Sequence, residues 1–212
     1  MINTEAKQLF DLYYPDSNVS RETLERLTEF KNLLIKWNQK INLIGKESIN
    51  EVWLRHIIDS AQLLKFISKE NIICDLGSGA GFPGIVLSLC GVGNISLVES
   101  DRRKSIFLTE AAKLTNNTLN IINERVEKLN GIKANVITAR GFAALAEIFS
   151  LCENILRENS RLKLVLLKGK TIKDEIDKAL KGWSFDYKLY PSISNQDGSV
   201  IVISNVNAIN PK

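Results

Sequence analysis

Four glycines fall within the ten residues DLGSGAGFPG, Asp75 to Gly84, directly after the apolar run NIIC and directly before IVLSLC. A main chain with so few Cβ atoms, at the junction of a strand and a helix, lets a nucleotide-like ligand reach backbone N–H groups without steric interference. Pro83 suits the first turn of the following helix, where its missing N–H costs nothing. Glu99 ends the next apolar run, and a carboxylate there can accept hydrogen bonds from both hydroxyls of a ribose. The glycines at 79, 81 and 84 also satisfy the spacing G-x-G-x-x-G, which dinucleotide and S-adenosylmethionine sites share.

Three features separate those two ligands. A single-domain dehydrogenase of this size needs a Tyr-x-x-x-Lys pair, but the residues four beyond Tyr13, Tyr14, Tyr187 and Tyr190 are Ser17, Asn18, Pro191 and Ser194. The acid at Asp75, just ahead of the glycines, is typical of S-adenosylmethionine sites. The third feature is the order of elements. From residue 71 onward, short apolar runs alternate with helical or turn-like segments: 71–75, 94–99, 118–122, 135–138 and 161–167. That alternation implies a parallel sheet with helices on both faces. The runs 185–190 and 199–204 are joined by the turn-rich ISNQDG, too short for a crossover helix, so they form a hairpin. Five strands in βαβ units followed by a hairpin is the plan of a Rossmann-like class I methyltransferase: a seven-stranded, mostly parallel sheet whose last strand is antiparallel. S-adenosylmethionine is therefore the expected cofactor.

The acceptor is narrowed by what the sequence lacks. Enzymes that methylate exocyclic base amines carry an Asn/Asp-Pro-Pro-aromatic stretch, whereas Pro15, Pro83, Pro191 and Pro211 are never paired. Carbon-5 pyrimidine chemistry needs a nucleophilic cysteine, usually beside proline, and Cys74, Cys90 and Cys152 have no such neighbour. Ribose-hydroxyl methylation calls for an acid after the fourth strand, where this chain reads TARG and offers Arg140. An acceptor that already bears a free lone pair, such as guanine N7, requires alignment and no general base. The three cysteines also lack C-x-x-C spacing, and His56 is the single histidine, so neither zinc nor a disulfide framework is indicated. The cysteines read as small core residues.

The elements before the loop must brace it. Leu24, Leu27, Phe30, Leu34, Trp37, Ile41 and Ile44 recur at steps of three and four, which predicts a helix over 20–44 with Ser20 as N-cap and Gly45 as its stop. A second helix is expected from about Ser48 to Ile67, and a weaker one over 4–13. These form an N-terminal helical extension, residues 1–67, packed with a methyltransferase domain, residues 68–212, as one compact unit. Within the second helix, Arg55 and Asp59, and His56 and Ser60, are each four apart, so each pair can interact side by side. They read as a network bracing the extension, the rival reading placing Arg55 or His56 against RNA.

Of 212 residues, 28 are Lys or Arg and 24 are Asp or Glu, a net charge of +4 compatible with a polyanionic partner. No apolar run approaches the roughly 20 residues of a membrane helix. The polar start MINTEAKQLF lacks signal-peptide character, and a cytoplasmic location is expected.

Beyond the shared glycine loop, KWNQKINL (36–43), LRHIIDS (54–60), ERVE (124–127), TARGF (138–142) and LLKG (166–169) resemble the motifs of the RsmG family, also called glucose-inhibited division protein B. The likeness runs in register from about residue 20 to 204. It implies methylation of guanine N7 in bacterial 16S ribosomal RNA, whether as free RNA, in the small subunit or in an assembly intermediate; the rival readings are a methyltransferase of a small molecule or protein and a non-catalytic RNA-binding module on the same fold, and a monomer is expected. It further implies cofactor contacts from Gly77, Phe82, Val126 and Glu127, with Arg140 at the cofactor and acceptor end; Gly79 and Glu99 join them from the reading of the glycine loop and the strand end. Glu99 stands where the family often has Asp, and Val126 reads equally as a core residue. Arg102, Arg103 and Lys104, with Lys168 and Lys170 after the fifth strand and Arg55 on the extension, are the candidate RNA contacts.

Overall fold

The structure, a computed structural model, describes residues 4–15, 19–159 and 161–209. The expected N-terminal extension and C-terminal domain therefore both run, at their outer ends, outside the described residues. Helix α1 (Thr4–Tyr13) buries Ala6 and Phe10, and α2 (Arg21–Asn38) buries Leu24, Leu27, Phe30 and Leu34. Ser20 caps α2 as expected, its side chain accepting from the Thr23 N–H.

Gly45 does not end α2. The helix stops six residues short of the expected limit, because the Asn38 side chain accepts from the backbone N–H groups of Leu43 and Ile44, at 2.8 and 3.0 Å, and turns the chain back. Ile44 continues the apolar rhythm because the returning loop packs on the same core. The single helix expected from 48 to 67 is likewise replaced by four short pieces. A 3₁₀ turn (Lys46–Glu51) leads into a π-helical turn (Trp53–Ile58), then one α turn, α3 (Asp59–Ala61), then another 3₁₀ turn (Gln62–Lys65).

Seven strands follow: β1 (Ile72–Leu76), β2 (Asn94–Val98), β3 (Asn120–Ile122), β4 (Val136–Arg140), β5 (Lys163–Lys168), β6 (Trp183–Pro191) and β7 (Ser199–Ala208). They make one sheet in the order β3-β2-β1-β4-β5-β7-β6. The first five are parallel, and β7 inserts antiparallel between β5 and β6, as the hairpin reading requires. Burial on both faces explains why β1, β4 and β5 read as continuous apolar runs instead of alternating ones.

Helices α4 (Gly84–Leu89), α5 (Arg102–Ala112), α6 (Leu145–Leu151), α7 (Glu153–Glu158) and α8 (Ile172–Ala179) cover the sheet. Between β3 and β4 the crossover carries a 3₁₀ turn (Val126–Lys128) in place of a helix. All six residues of α4 are buried, enclosed between the sheet and the extension. Extension and sheet share one core, in which Phe30 meets Phe82 of the glycine loop at 5.4 Å and Phe107 of α5 at 6.4 Å. Burying a ring of that size contributes about 1.5–3 kcal/mol, so the extension is held to the loop it braces. Among the described residues no helix is long and apolar enough to cross a membrane.

Candidate active site

A cleft of about 450 Å³ opens at the carboxyl ends of β1, β2 and β4. Gly77, Gly79, Phe82, Glu99, Val126, Glu127 and Arg140 all line it, although they come from four separate connections. Parallel α/β sheets place ligands at this edge, outside the strand ends.

Its floor is the glycine loop. Gly77 and Gly79 have φ of +62° and +54°, a left-handed backbone that side chains rarely adopt. A Cβ at Gly77 would also press into the ring of Phe142, which closes one wall. Asp75 supports the loop from beneath: its carboxylate is fully buried and accepts from the Thr138 hydroxyl at 2.7 Å and the Gly84 N–H at 3.3 Å. Burial pushes its pKa up to about 6, against these hydrogen bonds, which favour the charged form.

Glu99 is buried and has a structural role of its own in the loop. The Gly79 N–H donates to Oε2 at 2.9 Å and the Asp101 N–H to Oε1 at 2.7 Å, so the carboxylate fixes the height of the loop. Each carboxylate oxygen retains a second lone pair for a ligand hydroxyl. Val126 is buried, as the core reading expects, and it also lines the cleft.

Arg140 closes the far end. Its guanidinium lies 4.6 Å above the Phe82 ring, donates from Nη1 to the Arg55 carbonyl at 3.0 Å and reaches Asp59 at 3.6 Å. His56 stacks on the same Phe82 ring, with centroids 5.1 Å apart. The Ser48 hydroxyl donates to the Gly45 carbonyl, so the 2.9 Å contact between His56 and Ser48 puts the imidazole N–H on Nε2. Burial, then the charges of Arg140 and Arg55, push the His56 pKa down to about 3, and the ring stays neutral.

The side-chain pairs expected within the second helix do not form. Arg55 turns outward to Glu51 at 3.3 Å, and Ser60 donates to the backbone carbonyl of His56, because the irregular turns rotate these residues off a common α-helical face. Asp59 instead reaches across to Arg140 and to the β6–β7 loop. The expected phosphate contact at Lys168 is also corrected. Its ammonium is nearly enclosed, bonded to the Ala143 carbonyl at 2.6 Å and to Glu175 at 2.7 Å, and so pins the loop that carries Phe142. Arg102, Arg103 and Lys170 are exposed near the same sheet edge, and Lys104 enters the cleft wall. Phe142 and Asp59 were not among the candidate site residues, although both stand in the stretches TARGF and LRHIIDS; what the spacing did not show is the partner of Asp59, which is Arg140 and the β6–β7 loop and not Arg55.

The inverted β7 strand and a glycine-loop cleft at the strand ends define a Rossmann-like methyltransferase fold. Solved structures share it. A mutant of MtNAS in complex with S-adenosylmethionine superposes with a TM-score of 0.58 at 15% identity, covering 94% of this chain and 82% of that one. Ribosomal protein L11 methylase from Lactobacillus delbrueckii subsp. bulgaricus gives 0.57 at 15% identity, over 70% of this chain and 76% of that one. A family model described as rRNA small subunit methyltransferase G (GidB) matches residues 23–199, and the chain belongs to that family. It is 47% identical to ribosomal RNA small subunit methyltransferase G of Rickettsia prowazekii (strain Madrid E) and 46% identical to that of Rickettsia typhi (strain ATCC VR-144 / Wilmington), in each case over 90% of this chain and 98% of the relative.

Proposed function

We propose that this chain transfers a methyl group from S-adenosylmethionine to N7 of a guanine in 16S ribosomal RNA. The observation that carries the reading is the cleft itself: half-buried main chain at Gly77 and Gly79 forming its floor, Glu99 with lone pairs left for a ribose, and Arg140 in place of a carboxylate at the end of β4. These residues fit the cofactor. The loop would receive its methionine portion, Glu99 the ribose, and Val126 with Glu127 the adenine. When bound, the cofactor supplies a methyl group on a sulfonium, which the N7 lone pair can take as the carbon–sulfur bond breaks and its electron pair passes to sulfur.

No proton leaves N7, so the chain has to hold the base in line rather than deprotonate it. Phe82 and the Arg55 carbonyl fix Arg140 at the transfer end, while Arg102, Arg103, Lys104 and Lys170 would meet RNA phosphates. Single-turnover rates at saturating RNA should stay nearly flat from about pH 7 to 9, unlike the slope or bell that a titrating base produces. His56 titrates near 3 and Asp75 near 6, both below that window. A tenfold rise per pH unit, with RNA binding constant, would transfer the reading to a hydroxyl or amine acceptor.

Glu99→Ala should weaken S-adenosylmethionine binding by about 1.5–3 kcal/mol, the scale of a charged hydrogen bond. A 2′-deoxyribose analogue of the cofactor should lose less from the same substitution. Equal losses by calorimetry would mean that Glu99 acts through the loop alone.

A further inference from the structure

On the function proposed above, the guanidinium of Arg140 would lie at the end of the cleft where a cationic sulfonium is accepted and where positive charge moves onto a purine. A bare arginine there opposes both events. Asp59 supplies the compensating carboxylate, and the surrounding geometry presents it in one orientation. Its Oδ1 accepts from the Ser194 hydroxyl at 2.5 Å, Gln62 Nε2 at 2.8 Å and the Ser192 hydroxyl at 3.3 Å. With Oδ1 occupied from three sides, Oδ2 is the oxygen that faces Arg140 Nη1 at 3.6 Å.

The second contact on Arg140 depends on the π-helical turn. In an α-helix the Asp59 N–H would bond to the Arg55 carbonyl four residues earlier. Here it bonds to the His56 and Leu54 carbonyls, and the Arg55 carbonyl accepts from Arg140 at 3.0 Å. Departures of this kind are frequent at functional sites. Gln62 further ties the arrangement to the β6–β7 loop, its Oε1 accepting from the Ile193 N–H at 3.2 Å.

We propose that Asp59 is a positioning residue for methyl transfer: held by Ser192 and Ser194 of the β6–β7 loop, it orients Arg140 and offsets its charge at the acceptor end of the cleft. The proposal rests on the reading of Arg140 given above. Three parts of the chain meet at this carboxylate, namely the extension, the end of β4 and the final hairpin.

The test is a double-mutant cycle on single-turnover methylation of unmethylated small ribosomal subunits, with S-adenosylmethionine saturating. Asp59→Asn, which retains the shape and removes the charge, should slow transfer about tenfold in the wild-type background and by less than about twofold in an Arg140→Gln background, since contacting residues couple. Ser194→Ala, which leaves the ion pair in place but frees the carboxylate to rotate, should give a smaller loss that also vanishes with Arg140→Gln. Equal slowing by Asp59→Asn in both backgrounds, or a lowered melting temperature with an unchanged rate, would overturn the proposal and leave the reading of Arg140 standing. Should Asp59→Asn not fold, the Ser194→Ala arm decides: slowing that persists with Arg140→Gln overturns the proposal, and slowing that vanishes supports it. An Arg140→Gln enzyme at full rate would remove both.

Discussion

Valine at position 79 is expected to abolish measurable S-adenosylmethionine binding in a protein that still folds. An added Cβ at Gly79 meets nothing closer than the Gly77 carbonyl at 3.6 Å, so crowding is not the cause. The cause is φ of +54°, a left-handed conformation costing roughly 1–2 kcal/mol for an ordinary side chain and most unfavourable for a β-branched one. The loop should relax away from it and lose the bond from the Gly79 N–H to Glu99, and with it the height at which the backbone meets the ligand. Calorimetry should show cofactor affinity down by at least about a hundredfold, the loss of one or two charge-assisted hydrogen bonds, while circular dichroism and the melting transition remain close to wild type. Unchanged affinity would remove the loop from the cofactor site.

Arg140→Gln should have the other large effect, and on a different step. Glutamine can still donate to the Arg55 carbonyl, but it lacks the charge that meets Asp59 and the planar group that lies over Phe82. Misplacement at the transfer end is expected to lower the single-turnover rate about a hundredfold, with cofactor affinity within about threefold of wild type. A loss seen entirely in cofactor affinity would move Arg140 from the acceptor end to the cofactor end.

Much of the site was legible because its signals are local. Glycines at 77 and 79, an acid at 75 and an acid closing the next strand are each tied to the ends of apolar runs, and the sheet places those ends side by side. The hairpin was legible for the same reason, since ISNQDG leaves no length for a crossover. The extension was harder to read. Apolar spacing reports which residues face the core, but not where the amide pairing changes from α to π or 3₁₀, so the breaks around Trp53–Ile58 left no trace in the pattern. Nor could spacing reveal that Asn38 ends α2 by capturing two backbone N–H groups.

Long-range polar partners were invisible for a different reason. Asp59 bonds to Ser192 and Ser194, more than 130 positions away in sequence, while the i,i+4 rule pointed to Arg55. Lys168 carried the same ambiguity: a lysine closing a strand beside a glycine reads as exposed, and only the folded chain brings Glu175 against it. Charge alone does not distinguish a brace from a phosphate contact. Burial does.

The most direct test of the account is the chemical mapping of N7-methylguanine in small-subunit RNA after incubation of unmethylated subunits with the purified protein and S-adenosylmethionine. The expected result is an N7-methylguanine in 16S RNA that requires the cofactor and is absent with the Gly79→Val protein. A methyl group found instead on a ribose oxygen, an exocyclic amine or a ribosomal protein would contradict it.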